Sequence, residues 1–175
     1  MSKVINAAIV GLGRWGQLLV SSVDQSNSIR FTRAITRTPS KVKEFCAERE
    51  IALSDSLQDA LADGSIDAVV IATPHSQHFE QLMAVAAAGK HVFCEKPPAL
   101  NALEVGEMKR AAEEARKTLM FNFNNRARPE SYAIRNYLQS GELGQINSAQ
   151  AKWIRRTGIP GFGGWFTNQE QSGGG

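Results

Sequence analysis

The stretch Ala7-Ala8-Ile9-Val10-Gly11-Leu12-Gly13-Arg14-Trp15-Gly16 decides the fold. Val4–Val10 is a short apolar run that ends in glycines, the pattern of a buried strand. Trp15, Leu18, Leu19 and Val23 then recur at helical spacing. Between the two lies G-x-G-x-x-G. Gly11 permits a tight turn, Gly13 lets backbone approach a pyrophosphate, and Gly16 lets the helix pack close to the strand. Leu12, Arg14 and Trp15 complete the loop, and the helix start offers N–H groups and a positive partial charge to phosphates.

Outward from this unit, strand and helix patterns alternate. Ile29–Thr36 reads as a second strand. Thr38 then Pro39 reads as an N-cap and first helical residue, with Val42, Phe45 and Cys46 on the apolar face. Asp55 with Gln58 resembles a capping box opening a helix through Ala62. Asp67–Ala72 is the clearest buried strand. Phe79, Leu82, Met83 and Ala86 line the next helix, which Gly89 ends. His91–Cys94 is a strand, Asn101 with Glu104 caps a helix carrying Val105, Met108, Ala112 and Ala115, and Leu119–Phe123 is a further strand. Such alternation predicts the α/β class, a Rossmann-type doubly wound parallel sheet.

Past Asn124 the character changes. Pro129–Leu138 reads as a helix, Gly141 and Gly144 flank a turn, and Ile146–Ile154 reads as a long strand of a different sheet. The glycine-rich tail has no period. About 50 residues is too few for an independent core. The expected division is therefore a dinucleotide-binding domain over 1–123 and the truncated start of an α+β second domain over 124–175.

Composition narrows the function classes. The chain has 175 residues, 42% hydrophobic and 21% charged, with a net charge of +3. No block of Lys and Arg points to nucleic acid, despite a pI near 9.0. No apolar run approaches the roughly 20 residues of a membrane span, and the N-terminus is a poor signal peptide. Cys46 and Cys94 sit in apolar periodic segments, so a reduced, cytoplasmic protein is expected. His91 and Cys94 lie three apart in a strand and face opposite ways. His75 and His78 lack a third ligand nearby, so no metal site is expected. Trp153, Trp165 and Phe166 are apolar candidates for packing inside the second domain, or for an exposed patch.

Cofactor choice turns on the end of the second strand. An acidic residue usually stands there to bond the ribose 2′-OH of NAD. Here the segment is Ala34-Ile35-Thr36-Arg37-Thr38. A hydroxyl and a guanidinium suit a 2′-phosphate, with Arg14 and Lys41 available beside them. NADP is expected, with NAD possible. Three further strand ends carry polar groups: Thr73-Pro74-His75, Glu95-Lys96-Pro97 and Asn124-Asn125-Arg126. A lysine held in a partly dry crevice can have its pKa lowered and act as acid or base; an ordinary surface Glu–Lys pair is the plainer alternative.

These residues carry a resemblance. AAIVGLGRWG, DAVVIATPHSQH, AAGKHVFCEKPPALN and FNNRARP are similar to the N-terminal portion of the Gfo/Idh/MocA family (glucose–fructose oxidoreductase, inositol dehydrogenase). The tail WIRRTGIPGFGGWF followed by SGGG resembles the family's entry into its second domain. The resemblance implies an NAD(P)-dependent oxidoreductase acting on CH–OH groups of a sugar, polyol or related compound. It implies that Lys96 contacts the nicotinamide and the reacting hydroxyl, that Pro97 follows a cis peptide, and that His78 and Arg126 lie near the cofactor. The family's substrate-facing Asp and His follow a glycine-rich stretch like Ser172–Gly175, where this chain stops. The sheet that forms the usual homo-oligomer interface belongs to that missing part. The chain is thus expected to bind cofactor but to be catalytically incomplete. A non-catalytic NADP(H)-binding sensor or interaction module is the competing expectation.

Overall fold

A computed structural model of the chain describes residues 3–154, 156, 164 and 167–173. Six strands form one parallel sheet: β1 (Ile5–Val10), β2 (Ile29–Ile35), β3 (Ala52–Ser54), β4 (Ala68–Ile71), β5 (His91–Cys94) and β6 (Leu119–Phe121). The order across the sheet is β3-β2-β1-β4-β5-β6. The direction of strand addition reverses beside β1, which opens a crevice beyond the carboxyl ends of β1 and β4.

Seven α-helices accompany the strands among the described residues: α1 (Arg14–Ser21), α2 (Lys43–Ala47), α3 (Leu57–Ala62), α4 (His78–Ala87), α5 (Ala102–Glu114), α6 (Pro129–Gln139) and α7 (Gln169–Ser172). The two-residue period of each strand divides the core between the two faces. Ala7 and Ile9 of β1 and Val70 of β4 pack with Leu12, Val20 of α1 and Cys46 of α2. Ala8, Val10, Val69 and Ile71 pack on the other face with Ala60 of α3, Leu82 and Val85 of α4 and Met108 of α5. Both faces are covered, as a parallel sheet requires. Each fully buried Ile or Leu contributes about 1.5–3 kcal/mol. Both cysteines are buried and unpaired.

Several expectations shift in detail. β3 was not expected: three residues are too few to show a period, and its evidence is the register of Ala52–Ser54 against Arg33–Ile35. Asp55 does not cap α3. Ser56 holds the N-cap position without a side-chain bond, and beside it the Ser54 hydroxyl accepts from the Ser56 N–H and donates to the Asp59 carboxylate. Thr38 likewise makes no capping bond, and Pro39–Val42 is a 3-10 turn. The cap of α5 forms as expected: Asn101 accepts from the Glu104 N–H at 2.9 Å, and Glu104 accepts from the Asn101 amide at 2.9 Å.

Ile146–Ile154 is not a strand. No neighbouring strand among the described residues offers ladder partners, and an unpaired strand has nowhere to place its N–H and C=O groups. α6 buries none of its residues. Tyr132, Ile134, Tyr137, Leu138, Leu143, Ile146, Trp153 and Ile154 are all exposed. Trp165 and Phe166 lie outside the described residues. α7 was not foreseen in the aperiodic tail.

Candidate functional site

The crevice begins at the glycine turn. Gly11 has φ +90°, and a Cβ there would stand 2.6 Å from the Ala72 carbonyl oxygen. Its N–H bonds the Ile35 carbonyl at 2.9 Å, so the turn leaves β1 tight against β2 and β4. At Gly16 a Cβ would meet the Gly11 carbonyl oxygen at 2.1 Å, which lets α1 start directly over the turn. Gly13 differs: a Cβ there would meet nothing within 4 Å. It is the N-cap of α1, and no side chain caps the first-turn N–H groups. Open space in front of uncapped helix donors is what an anion needs. The loop therefore fits a dinucleotide's pyrophosphate. Leu12 turns its side chain into the core, leaving backbone as its contribution.

Trp15 and Glu95 come together across the crevice. The Trp15 indole N–H donates to Glu95 Oε1. Asn122 Nδ2 donates to the same oxygen at 2.6 Å, and the Lys96 backbone N–H donates to Glu95 Oε2 at 3.2 Å. Glu95 is only 6% exposed. It ties the glycine loop to the ends of β5 and β6. Asn122 was missed in the sequence. Its signal was register: Phe121 pairs with Cys94, so the next residue on each strand must meet.

Lys96 itself is exposed, and no ion pair among the described residues includes it or Glu95. Neither a surface Glu–Lys pair nor a dry pocket around the ammonium is found; Glu95 alone is drawn inside by its three donors. The Lys96–Pro97 bond is cis.

His78 is fully buried, and its two ring nitrogens lie 2.9 Å from the Pro97 and Thr73 carbonyl oxygens. It fastens the β4 end to the Lys96–Pro97 turn instead of presenting itself to a ligand. The Thr73 hydroxyl donates to Gln81 Oε1 at 2.7 Å, so Thr73 is also turned inward, and Pro74 leads from it into the His75–Gln77 turn. His75 Nδ1 lies 3.1 Å from the Ser172 carbonyl, linking α7 to the β4 end. Burial lowers the His75 pKa, against the pull of that carbonyl.

At the β2 end, Thr36 continues the ladder through its N–H to the Ser54 carbonyl at 3.0 Å. Arg37 and Lys41 are exposed, as is Arg14 at the start of α1. No carboxylate stands in the Thr36–Thr38 segment. Arg126 is exposed beyond β6, its guanidinium 5.5 Å from the Phe123 ring. Among the described residues no three His, Cys, Asp or Glu side chains are grouped for a metal, and no helix is long and apolar enough to cross a membrane.

A parallel sheet in this order, an open glycine loop and polar groups gathered at the strand ends define a dinucleotide-binding domain of the Rossmann type. The family model for an oxidoreductase family with an NAD-binding Rossmann fold matches residues 5–123. The chain belongs to that family, Gfo/Idh/MocA. It is 30% identical to the D-glucoside 3-dehydrogenase of Escherichia coli K12 over 99% of this chain and 50% of that protein. It is 38% identical to the human trans-1,2-dihydrobenzene-1,2-diol dehydrogenase over 67% of this chain and 35% of that one. The WlbA dehydrogenase of Bordetella pertussis, solved with NADH and UDP-GlcNAcA, superposes with a TM-score of 0.77 at 28% identity, covering 83% of this chain and 43% of the other. The chain spans about half the length of the curated relatives it matches.

Proposed function

We propose that the protein is an oxidoreductase that prefers NADP(H) and interconverts a CH–OH group and a carbonyl on a sugar, polyol or related cyclic compound. The observation that carries this reading is the Trp15–Glu95 tie, which sets the Lys96 turn against the glycine loop. The loop N–H groups and the start of α1 hold the phosphates. The Thr36 hydroxyl and Arg37 guanidinium, with no carboxylate between them, receive a 2′-phosphate. Bound nicotinamide supplies the hydride acceptor or donor. Lys96 Nζ takes the hydroxyl proton during oxidation and returns it during reduction. His78 holds the Lys96–Pro97 turn in place through the Pro97 carbonyl.

Residues 1–123 form the cofactor domain and residues 124–175 open a second domain. The sheet's end at Phe121 and the exposed apolar side chains from α6 onward support that division. Two unpaired, buried thiols suit the reducing cytoplasm.

The test is Lys96→Met in the intact protein, with NADP⁺ and a panel of sugars and inositols, following reduced cofactor. Turnover falls by about 10²–10⁴-fold, the range for a lost proton-transfer group, while the Kd for NADPH is unchanged. Equal turnover removes Lys96 from the chemistry. Cofactor binding without turnover of any panel member favours the sensor reading.

A further inference from the structure

Among the described residues the donors to Glu95 are all uncharged. Trp15 Nε1 and Asn122 Nδ2 meet Oε1, and the Lys96 N–H meets Oε2. Glu95 is 6% exposed and enters no ion pair among the described residues. Among the described residues the carboxylate is thus held by dipoles, with no counter-ion in contact, at the crevice end of β5. A charge so placed acts on its neighbours. The adjoining Cys94 thiol is pushed up to about 12, first by burial and then by the Glu95 charge.

We infer that Glu95 is an electrostatic residue that discriminates the redox state of the cofactor, favouring the oxidised nicotinamide over the reduced one. This rests on the reading of the crevice as a nicotinamide site. The oxidised ring carries a positive charge and the reduced ring is neutral, while the phosphates and adenosine are the same in both. A fixed negative charge beside the ring therefore changes the ratio of the two affinities. Lys96 is common to the wild type and Glu95→Gln, so the change in ratio between the two reads the carboxylate alone. Tighter holding of the oxidised form makes the bound reduced form a stronger hydride donor. On the protein, the equilibrium moves toward carbonyl reduction, with hydride going to the carbonyl carbon and a proton to its oxygen.

The experiment measures Kd for NADP⁺ and for NADPH on the wild type, Glu95→Gln and Trp15→Phe, with folding checked by circular dichroism. Glu95→Gln is isosteric and removes the charge. It weakens NADP⁺ relative to NADPH on the order of tenfold, the scale of one partly screened charge pair. Trp15→Phe removes a donor and keeps the charge, so it moves both constants together and leaves their ratio. A neutral-ring dinucleotide, with benzamide in place of nicotinamide, provides a reading on the wild type alone should Glu95→Gln not fold. It binds on the order of tenfold more weakly than NADP⁺. The inference is overturned if the ratio is the same in Glu95→Gln, if Trp15→Phe shifts the ratio equally, or if the neutral-ring compound binds as well as NADP⁺. Failure of the wild type to bind any dinucleotide instead overturns the functional reading beneath it.

Discussion

Gly16→Ala and Gly13→Ala should separate the packing role of the loop from its binding role. A methyl on residue 16 would stand 2.1 Å from the Gly11 carbonyl oxygen and 3.1 Å from its carbon. A relaxed C···O contact needs roughly 3.3 Å, so α1 must retreat by about 1 Å from the turn. The atoms the methyl meets are backbone, so no side chain can swing away to relieve the contact. Overpacking of this kind costs about 1–3 kcal/mol, here at the upper end. Replacing a helical glycine by alanine returns about 1 kcal/mol. The net loss is about 2 kcal/mol, which lowers Tm by about 4–8 °C for a chain of this size.

Gly13 sits at φ −72° with nothing within 4 Å of a Cβ. Its alanine variant loses about 0.5–1 kcal/mol at the N-cap. That variant should nevertheless bind NADPH at least about tenfold more weakly, because the methyl occupies the space through which phosphate approaches the backbone. Thermal melts by circular dichroism and NADPH titrations on both variants read the two effects. A Gly16→Ala protein melting with the wild type would remove the packing role of Gly16, and a Gly13→Ala protein binding with wild-type affinity would remove the binding role of Gly13.

Arg37→Asp should shift the balance of cofactor affinities toward NADH. Losing charge-assisted bonds to a 2′-phosphate is worth about 1.5–3 kcal/mol, so the ratio of NADPH to NADH affinity should fall at least about tenfold in parallel titrations; an unchanged ratio clears Arg37 of any role. Asp67 governs part of the acid stability. Its carboxyl is held below the usual range, first by the Lys3 ammonium and then by the Asn6 backbone N–H. A carboxyl with a depressed folded pKa stabilises the fold above its unfolded value and loses that contribution as pH falls through the folded one. Asp67→Asn should melt below the wild type at neutral pH, with the gap closing below about pH 4; a gap that persists in acid contradicts the assignment.

The sheet was readable because its strands are buried on both faces and written as apolar runs. Ala7–Val10 and Val69–Ile71 leave no polar face to misread. β3 was not readable, since three residues carry no period and only the register with β2 defines it. Ile146–Ile154 shows the converse: alternation along one segment cannot form a ladder without a second strand. At the site, the glycines stood out by spacing, and Lys96 by its place directly after an apolar strand and by the family resemblance. The actual roles of His78 and Glu95 did not, because both depend on groups far away in sequence, namely the Thr73 and Pro97 carbonyls for one and Trp15 and Asn122 for the other. Lys90 was missed for the same reason. It is buried, with its ammonium donating to the Asp63 and Ile66 carbonyls at 2.7 and 2.9 Å, and a sequence shows only one more lysine.

The most direct measurement is a crystal structure of the protein with NADPH bound. The pyrophosphate should lie on the N–H groups of residues 11–16 and the nicotinamide beside Lys96 Nζ. A dinucleotide seated elsewhere, or a Lys96 amine directed away from the ring, would contradict it.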